Sequence, residues 1–192
     1  MASKTAYIPR LKALYNDKLV AELKDELGVS NVHQVPRLEK VVVSVGTGSK
    51  KDDKSYREAV RNTIAKITGQ VAVDRMPKKS IAGFKIRKDM GSPIGASTTL
   101  RGARMYEFVD RLINVSLPHV RDFRGVKLGA FDGQGNYNLG IREQSIFPEL
   151  SFEDTQNAHG LEVTFVIKNG SHEASKLLLE KFGMPFERRG EK

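Results

Sequence analysis

The sequence predicts an α+β protein with a mainly antiparallel sheet, helices packed on one face of that sheet and a protruding basic hairpin loop. Two observations carry this prediction. Strand-like runs and amphipathic helical segments are mixed without the regular strand–helix–strand repeat of a parallel sheet, and turns containing glycine or proline join neighbouring strands. The 192 residues, 39% of them hydrophobic, can bury the core of one domain. We expect that domain to have an N-terminal helix over about residues 8–28, a core over about 36–183 and a short tail over 184–192.

The N-terminal half contains four predicted elements. Leucines at four-residue spacing predict the first helix, which Gly28 ends. The β-branched run 40–45 predicts a buried strand. Ser55 and Glu58 have the spacing of a capping box, so they predict the start of a second helix. Residues 70–73 resemble a short strand.

The basic stretch that follows predicts a β-hairpin. Phe84 and Ile86 alternate with cations, as they would along one strand of a hairpin. Glycine and proline place the turn of this hairpin at residues 91–95, and a threonine-rich run predicts its return strand at residues 96–101.

The C-terminal half begins with the most regular helical pattern, in which apolar residues share one face until Pro118 ends the helix. Residues 121–138 are rich in glycine and predict an ordered surface loop. Strands are expected near residues 139–147 and 161–168, the second with strict alternation of apolar and polar side chains. Ser171 predicts the start of a last helix, stopped by Gly183 and Pro185.

The charge of the chain is basic and unevenly distributed. There are 32 lysines and arginines against 23 acids, a net charge of +9. Residues 75–104 carry +7 of this excess, and the other 162 residues carry only +2. A concentrated positive charge favours nucleic acid as the partner. No apolar run reaches membrane-spanning length, no signal peptide is visible and there is no cysteine, so a cytosolic protein is expected.

Nothing in the sequence indicates catalysis, a metal or a cofactor. The turn over residues 46–51 is glycine-rich but matches neither common phosphate-binding motif, so a plain strand-to-helix turn is the default interpretation. The four histidines are scattered without metal-ligand spacing. A nucleotide-dependent enzyme using this turn and a regulator acting through protein contacts alone are the alternative hypotheses to RNA binding.

The stretch 78–88 is the strongest candidate for RNA contact. Its clustered cations can neutralise phosphates and release counterions. Phe84 could stack on an exposed base, or it could pack into the core of a merely solvated hairpin. The loop 121–138 leaves two interpretations open, because it could bind a partner or cover the sheet edge with its own aromatic side chains.

Four long segments resemble one family. KKSIAGFKIR, TLRGARMYEFVDRLINVSLPHVRDFRG, FDGQGNYNLGIREQSIFPEL and FGMPF occur in the order and spacing of the bacterial form of universal large-subunit ribosomal protein number five. The resemblance runs essentially from end to end. It implies a structural protein of the cytoplasmic ribosome that binds 5S rRNA in the central protuberance, lies among 23S rRNA and neighbouring large-subunit proteins, touches the elbow of the P-site tRNA and forms an intersubunit bridge to small-subunit protein thirteen.

The resemblance also implies residue roles. Contacts to 5S rRNA are expected from Ser44, Gln70 and Thr99, and further rRNA contacts from Arg101, Lys78 and Lys79. Lys79, Lys85 and Arg87 fit the phosphate-contacting role that the charge distribution indicates. The resemblance does not assign the bridge residue by residue, and the segments near 107–124 and 143–155, interpreted as loops, are our own candidates for it. The tRNA-contacting loop is expected to comprise Ser80, Ile81, Ala82, Gly83, Phe84, Lys85 and Arg87.

Two departures from the family pattern affect these roles. The family usually has Asn at position 44, and the serine present here offers a shorter hydrogen-bonding group. Residues 88–92 number five where the family has three, which predicts a hairpin tip two residues longer.

Overall fold

The computed structural model describes residues 7–50, 52–88 and 91–187. The chain forms two compact units that interleave along the sequence. Unit 1 holds the described residues of Met1–Lys40, Arg101–Tyr137 and Phe165–Lys192, and unit 2 holds those of Val41–Leu100 and Asn138–Thr164. Residues 188–192 of the expected tail lie outside the described residues.

A five-stranded sheet accompanies the helices, so the predicted α+β class is confirmed. The strands are β1 (Arg37–Gly46), β2 (Val73–Arg75), β3 (Gly95–Leu100), β4 (Tyr137–Ile141) and β5 (Leu161–Lys168). Their order in the sheet is β2-β3-β1-β5-β4. The β1–β3 and β2–β3 pairs are antiparallel.

Unit 1 begins with the first predicted helix, which is confirmed with one unexpected feature. Helix α1 (Arg10–Leu14) continues through a π-helical turn (Tyr15–Leu19) into helix α2 (Val20–Glu26). Tyr15 is buried in this turn and packs 6.1 Å, ring centre to ring centre, from Phe182. The four-residue leucine spacing predicts helix but carries no signal for the wider turn.

The other long helices of unit 1 lie where the sequence places them. Helix α4 (Gly102–Arg111) continues as a π-helical turn (Leu112–Ser116), and a 3₁₀ turn (Leu117–His119) containing Pro118 ends the helical run. The bridge candidate 107–124 is therefore mostly helix, and its interpretation as a loop is wrong. Helix α6 (His172–Lys181) starts at Ser171, whose hydroxyl accepts a hydrogen bond from the Ala174 amide.

Unit 2 contains helix α3 (Lys54–Thr68), which packs against β3. The helix is capped by Asp53, whose carboxylate accepts from the Tyr56 amide at 3.1 Å, so the capping box expected at Ser55 is wrong. Gly69 ends the helix at φ 67°, a conformation that glycine adopts without steric cost. The apolar face of α3 covers the side of the sheet on which Val41 and Val43 are fully buried.

The remaining strands of the sheet differ in part from expectation. Strand β2 is displaced from the predicted residues 70–73 to Val73–Arg75, and β4 is Tyr137–Ile141 rather than 139–147. Beyond β4 the chain forms a 3₁₀ turn (Gln144–Ile146) and the unpredicted short helix α5 (Phe152–Thr155). Strand β5 has the predicted bounds, since its alternation of buried and exposed residues is uninterrupted.

Candidate nucleic-acid interface

One side of the sheet in unit 2 is polar and partly open to solvent, and we call it the polar face. Val43 and Val45 of β1 point to the core, so by strand alternation Val42 and Ser44 point to the opposite side. Antiparallel register places Ser97 beside Ser44 and Thr99 beside Val42. The two predicted contact residues on strands, Ser44 and Thr99, therefore share this face.

Gln70, the third predicted 5S rRNA contact, lies beside them. Its side-chain Nε2 donates a hydrogen bond to the backbone carbonyl of Thr99 at 3.1 Å. One of the two N–H groups of this amide is thus used inside the protein, which leaves the second N–H and Oε1 as the groups that could meet a ligand. The structure therefore brings Ser44, Gln70 and Thr99 together at the polar face, and their contact with 5S rRNA stays a prediction.

The polar face also contains residues that sequence reasoning missed. The Ser97 hydroxyl accepts a hydrogen bond from Nε of Arg75, which orients a cation along β3. On the other strands of unit 2, Thr164 donates to Oδ1 of Asn138 at 2.8 Å, and both positions are half-buried. The alternation of Asn138 with the apolar residues of β4 was the available signal for this pair.

A 19-residue loop, residues 76–94, joins β2 to β3, and we call it the basic loop. Its base is closed by hydrogen bonds from the Ile94 amide to the Arg75 carbonyl at 2.9 Å and from the Thr47 amide to the Ile94 carbonyl at 2.9 Å. Thr47 is itself 2% exposed, so this anchor is well packed. Loops of this length are uncommon in compact domains and are often functional.

The end of this loop, residues 80–88, is a small closed hairpin that we call the tip. Ile81 and Ile86 exchange two backbone hydrogen bonds of 3.0 and 3.1 Å, and a 3₁₀ turn (Ala82–Phe84) lies between them. Lys85 adopts the left-handed conformation at φ 52°. The Lys88 amide donates to the Ser80 hydroxyl at 3.0 Å and closes the neck.

This geometry corrects the predicted hairpin. Phe84 and Ile86 do not form a strand, and the turn is at residues 82–85 rather than 91–95. The expectation that residues 88–92 lengthen the hairpin tip by two residues stays a prediction. Residues 89 and 90 of that stretch lie outside the described residues.

The cations of the basic loop lie at the surface. Lys78, Lys79, Lys85 and Arg87 are all exposed, and Phe84 is 72% exposed, so its packing into the core is excluded. A small cleft beside the tip is lined by Lys85, Arg87 and Asp52, which brings one carboxylate near the cations. Arg101, the remaining predicted rRNA contact, belongs to unit 1, where it is exposed at the start of α4.

The loop 121–138 in unit 1 is held by its own aromatic side chains. Phe131 packs 4.7 Å from Tyr137 and 6.0 Å from Phe186, measured between ring centres. The Tyr137 hydroxyl donates to the Lys127 carbonyl at 3.0 Å, and burial raises the pKa of Tyr137 to about 12. Val126 and Phe186 form a parallel β-bridge. The packing interpretation of this loop is therefore supported.

Residues 143–154 form a second distinctive surface in unit 2, the acidic segment. It contains four acids and neither lysine nor arginine, in a chain of net charge +9. Lys66 of α3 bonds to both carboxylate oxygens of Asp154 at 2.6 and 2.7 Å, and together with the Ser151 hydroxyl it holds the pKa of Asp154 at about 2. Phe152, beside this anchor, is 83% exposed.

A buried glutamine also holds the backbone of the acidic segment in place. Gln144 is 1% exposed, and its Nε2 donates to the carbonyls of Asp154 and Asn157 while its Oε1 accepts from the His159 amide at 2.8 Å. All three amide hydrogen bonds hold the same stretch of backbone, residues 154–159. Phe152 is therefore displayed on a braced backbone.

His159 gives this part of unit 2 a predicted pH dependence. The ring is 7% exposed, its Nδ1 lies 2.8 Å from the Asn157 carbonyl, and its Nε2 is buried without a hydrogen-bond partner among the described residues. Burial lowers the pKa of His159 from its ordinary value of 6.5. The unfolded chain therefore binds a proton that the folded chain resists, so the free energy of unfolding should fall as pH drops below 6.5.

Urea unfolding at about pH 7 and about pH 5 measures this effect. His159→Phe should show a smaller loss of stability between the two pH values than the parent protein. His33→Gln is the matched control, because it removes an exposed histidine instead of the buried one. Equal pH dependence in the parent and His159→Phe would contradict the assignment.

Other sites considered from the sequence gain no support. No group of three or more potential metal ligands occurs among the described residues. Within the same residues, no helix has both the length and the apolar character needed to cross a bilayer. Residues 46–50 form a strand end and a 3₁₀ turn before α3, the plain turn that the sequence favours.

Comparison with known proteins identifies the family. The family model described as "Ribosomal protein L5" matches residues 31–87, and the model of the C-terminus of the same ribosomal family matches residues 93–186. The chain belongs to the ribosomal protein L5 family. Members of this family are structural constituents of the large ribosomal subunit, so the predictions of a non-enzymatic protein and of a location in the cytoplasmic ribosome are confirmed.

Individual relatives of the L5 family cover nearly the whole chain. The large ribosomal subunit protein uL5 of Flavobacterium johnsoniae is 49% identical over 183 residues, which are 95% of this chain and 99% of the relative. The protein of the same name from a Synechococcus strain is 50% identical over 92% of this chain and 97% of its own. That of Wolinella succinogenes is 46% identical over 92% and 95%.

Proposed function

We propose that this L5-family chain binds 5S rRNA through the polar face, with the cations of the basic loop contacting phosphates of rRNA. The observation that carries the proposal is that the excess positive charge of the chain lies on a loop that borders the polar face. The window 75–104 holds +7 of the net +9, and its described loop cations are exposed on a loop that leaves the polar face at β2 and returns at β3. Cations supply salt-dependent affinity, whereas neutral hydrogen-bonding groups fix register.

The tip and the acidic segment support two finer contacts. The tip projects a closed hairpin with cations at its surface, which suits contact with the elbow of the P-site tRNA. The acidic segment repels RNA and displays Phe152 on a braced backbone, which suits a bridge to a basic protein of the small subunit such as protein thirteen. Arg101 in unit 1 offers a further exposed cation to 23S rRNA.

Thr99→Val tests the polar face. The change keeps the shape of the side chain and removes one hydroxyl, so we expect affinity for 5S rRNA to fall by about 1 kcal/mol, roughly fivefold. The slope of log affinity against log salt concentration should not change, because no cation is lost. Filter binding of labelled 5S rRNA over a range of salt concentrations gives both quantities.

Thr155→Val is the matched control, since the Thr155 hydroxyl donates to the Phe152 carbonyl away from the polar face. It should bind 5S rRNA like the parent. If the parent protein fails to bind 5S rRNA even at low salt, the proposed function is wrong. If Thr99→Val and Thr155→Val bind alike, the polar face is not the site.

A further inference from the structure

The tip carries an aromatic side chain whose exposure its own fold enforces. Phe84 lies in the 3₁₀ turn between the two hydrogen-bonded residues Ile81 and Ile86 and is 72% exposed. The Ser80–Lys88 hydrogen bond holds the neck below it. A side chain at the end of so short a hairpin cannot reach the core, so most of its surface faces solvent and is available to a partner.

The backbone at the tip is held in a conformation that a lysine rarely adopts. Lys85 has φ 52° and ψ 35°, which favours glycine, asparagine or aspartate. The Lys85 amide donates to the Ala82 carbonyl at 3.0 Å and fixes this turn. Strained backbone that the surrounding hydrogen bonds enforce is concentrated at binding sites. The tip is thus pre-organised before any RNA is bound.

The electrostatic setting of Phe84 selects the kind of partner. Residues 78–88 contain five cations and no acid. Phe152 is at least as exposed as Phe84, but it lies in the acidic segment, which has four acids and neither lysine nor arginine. Asp52 lines the cleft beside Lys85 and Arg87, but the segment that carries Phe84 remains strongly positive. An exposed ring in a cationic segment favours a ligand that is both anionic and aromatic, whereas an exposed ring in an acidic segment favours a basic protein.

We propose that Phe84 is a base-stacking residue that receives the face of an exposed nucleobase, while the cations around it contact the adjoining phosphates. This deepens the proposed RNA contact of the tip and rests on it. Stacking on an aromatic ring is available to every base, and it supplies affinity that salt does not screen. The tip therefore binds exposed bases as well as the negatively charged phosphates of RNA.

The absence of tryptophan from the chain allows a direct test. Phe84→Trp introduces a single indole at the tip, and Phe152→Trp introduces one at a comparably exposed site in the acidic segment. Full-length variants are titrated with a tRNA transcript, with 5S rRNA and with a short single-stranded oligoribonucleotide. Indole fluorescence reports stacking, and the anisotropy of end-labelled RNA independently reports binding.

Quenching of the indole of Phe84→Trp by RNA, but not by inorganic polyphosphate, is expected, because polyphosphate offers the charge without the base. Phe152→Trp should not respond to RNA. Phe84→Leu should weaken binding about 5- to 150-fold with an unchanged salt slope, and Phe84→Tyr should restore most of the affinity.

RNA binding without quenching would overturn the stacking role and leave the proposed RNA contact standing. Absence of RNA binding in the anisotropy measurement would overturn both. A fluorescence response to poly-glutamate but not to RNA would replace the proposal with a protein contact. Equal responses of the two tryptophan variants to RNA would show non-specific association and also overturn it.

Discussion

Replacing Lys79, Lys85 and Arg87 together by alanine is expected to weaken RNA binding roughly 100-fold at physiological salt. Each cation that contacts a phosphate releases about one counterion, so the slope of log affinity against log salt should become shallower by about 2 to 3. The three side chains are exposed, which means that their removal leaves the core intact. Binding isotherms of labelled 5S rRNA and tRNA at several salt concentrations measure both effects.

Lys18, Lys54 and Lys176 provide the matched control for this variant. Replacing all three by alanine lowers the net charge by the same amount at sites outside the basic loop. Lys18 and Lys176 form i,i+4 surface pairs with Glu22 and Glu180, so little stability should be lost. Similar slopes for the two triple variants would mean that total charge, and not the basic loop, governs binding.

Gln144→Leu is expected to lower the free energy of unfolding by about 2 to 3 kcal/mol. Its amide is buried and makes three hydrogen bonds to the backbone of residues 154–159. A leucine fills the same space but removes all three hydrogen bonds, and the His159 amide that loses its partner belongs to a buried residue, which makes the loss costly. Urea unfolding at neutral pH gives the free energy.

Gln156→Leu is the control for this substitution, because Gln156 is exposed in the same stretch of chain. It should change stability by less than about 0.5 kcal/mol. A loss for Gln144→Leu no larger than that of the control would show that the acidic segment is not braced by this amide.

The local pattern of apolar, polar and capping residues was sufficient to predict most of the helices and strands. Strand β5 follows from uninterrupted alternation, and helix α6 follows from Ser171 because a hydroxyl at that position satisfies an otherwise unpaired amide. The predicted start of α3 was two residues too late, because Asp53 and Ser55 are both good capping residues. Which of the two caps the helix depends on the backbone conformation of the preceding turn, and the local sequence does not specify it. The π-helical turns have no signature in the spacing of apolar residues.

The prediction of a strand in the tip was wrong because its sequence has the alternation that is typical of a strand. Phe84 to Arg87 alternate in polarity, but the chain reverses at Ala82–Phe84 and only one pair of residues in the tip, Ile81 and Ile86, is bridged. At this reversal Lys85 adopts the left-handed backbone conformation. Turn prediction relies on glycine or asparagine at such positions, so a lysine there gives no indication of the turn. Contacts made far along the chain, such as those of Gln144 with residues 154–159, likewise leave no trace in local pattern.

The order of the strands has a consequence for how the molecule is made. Strand β1 lies between β3, which follows it closely in the chain, and β5, which begins about 120 residues later. In a nascent chain, one edge of β1 stays unpaired until β5 has left the ribosome. During this time the unpaired edge can form hydrogen bonds with a strand of another chain. Because this pairing joins residues far apart in the chain, we expect the protein to fold more slowly than a helical protein of equal size.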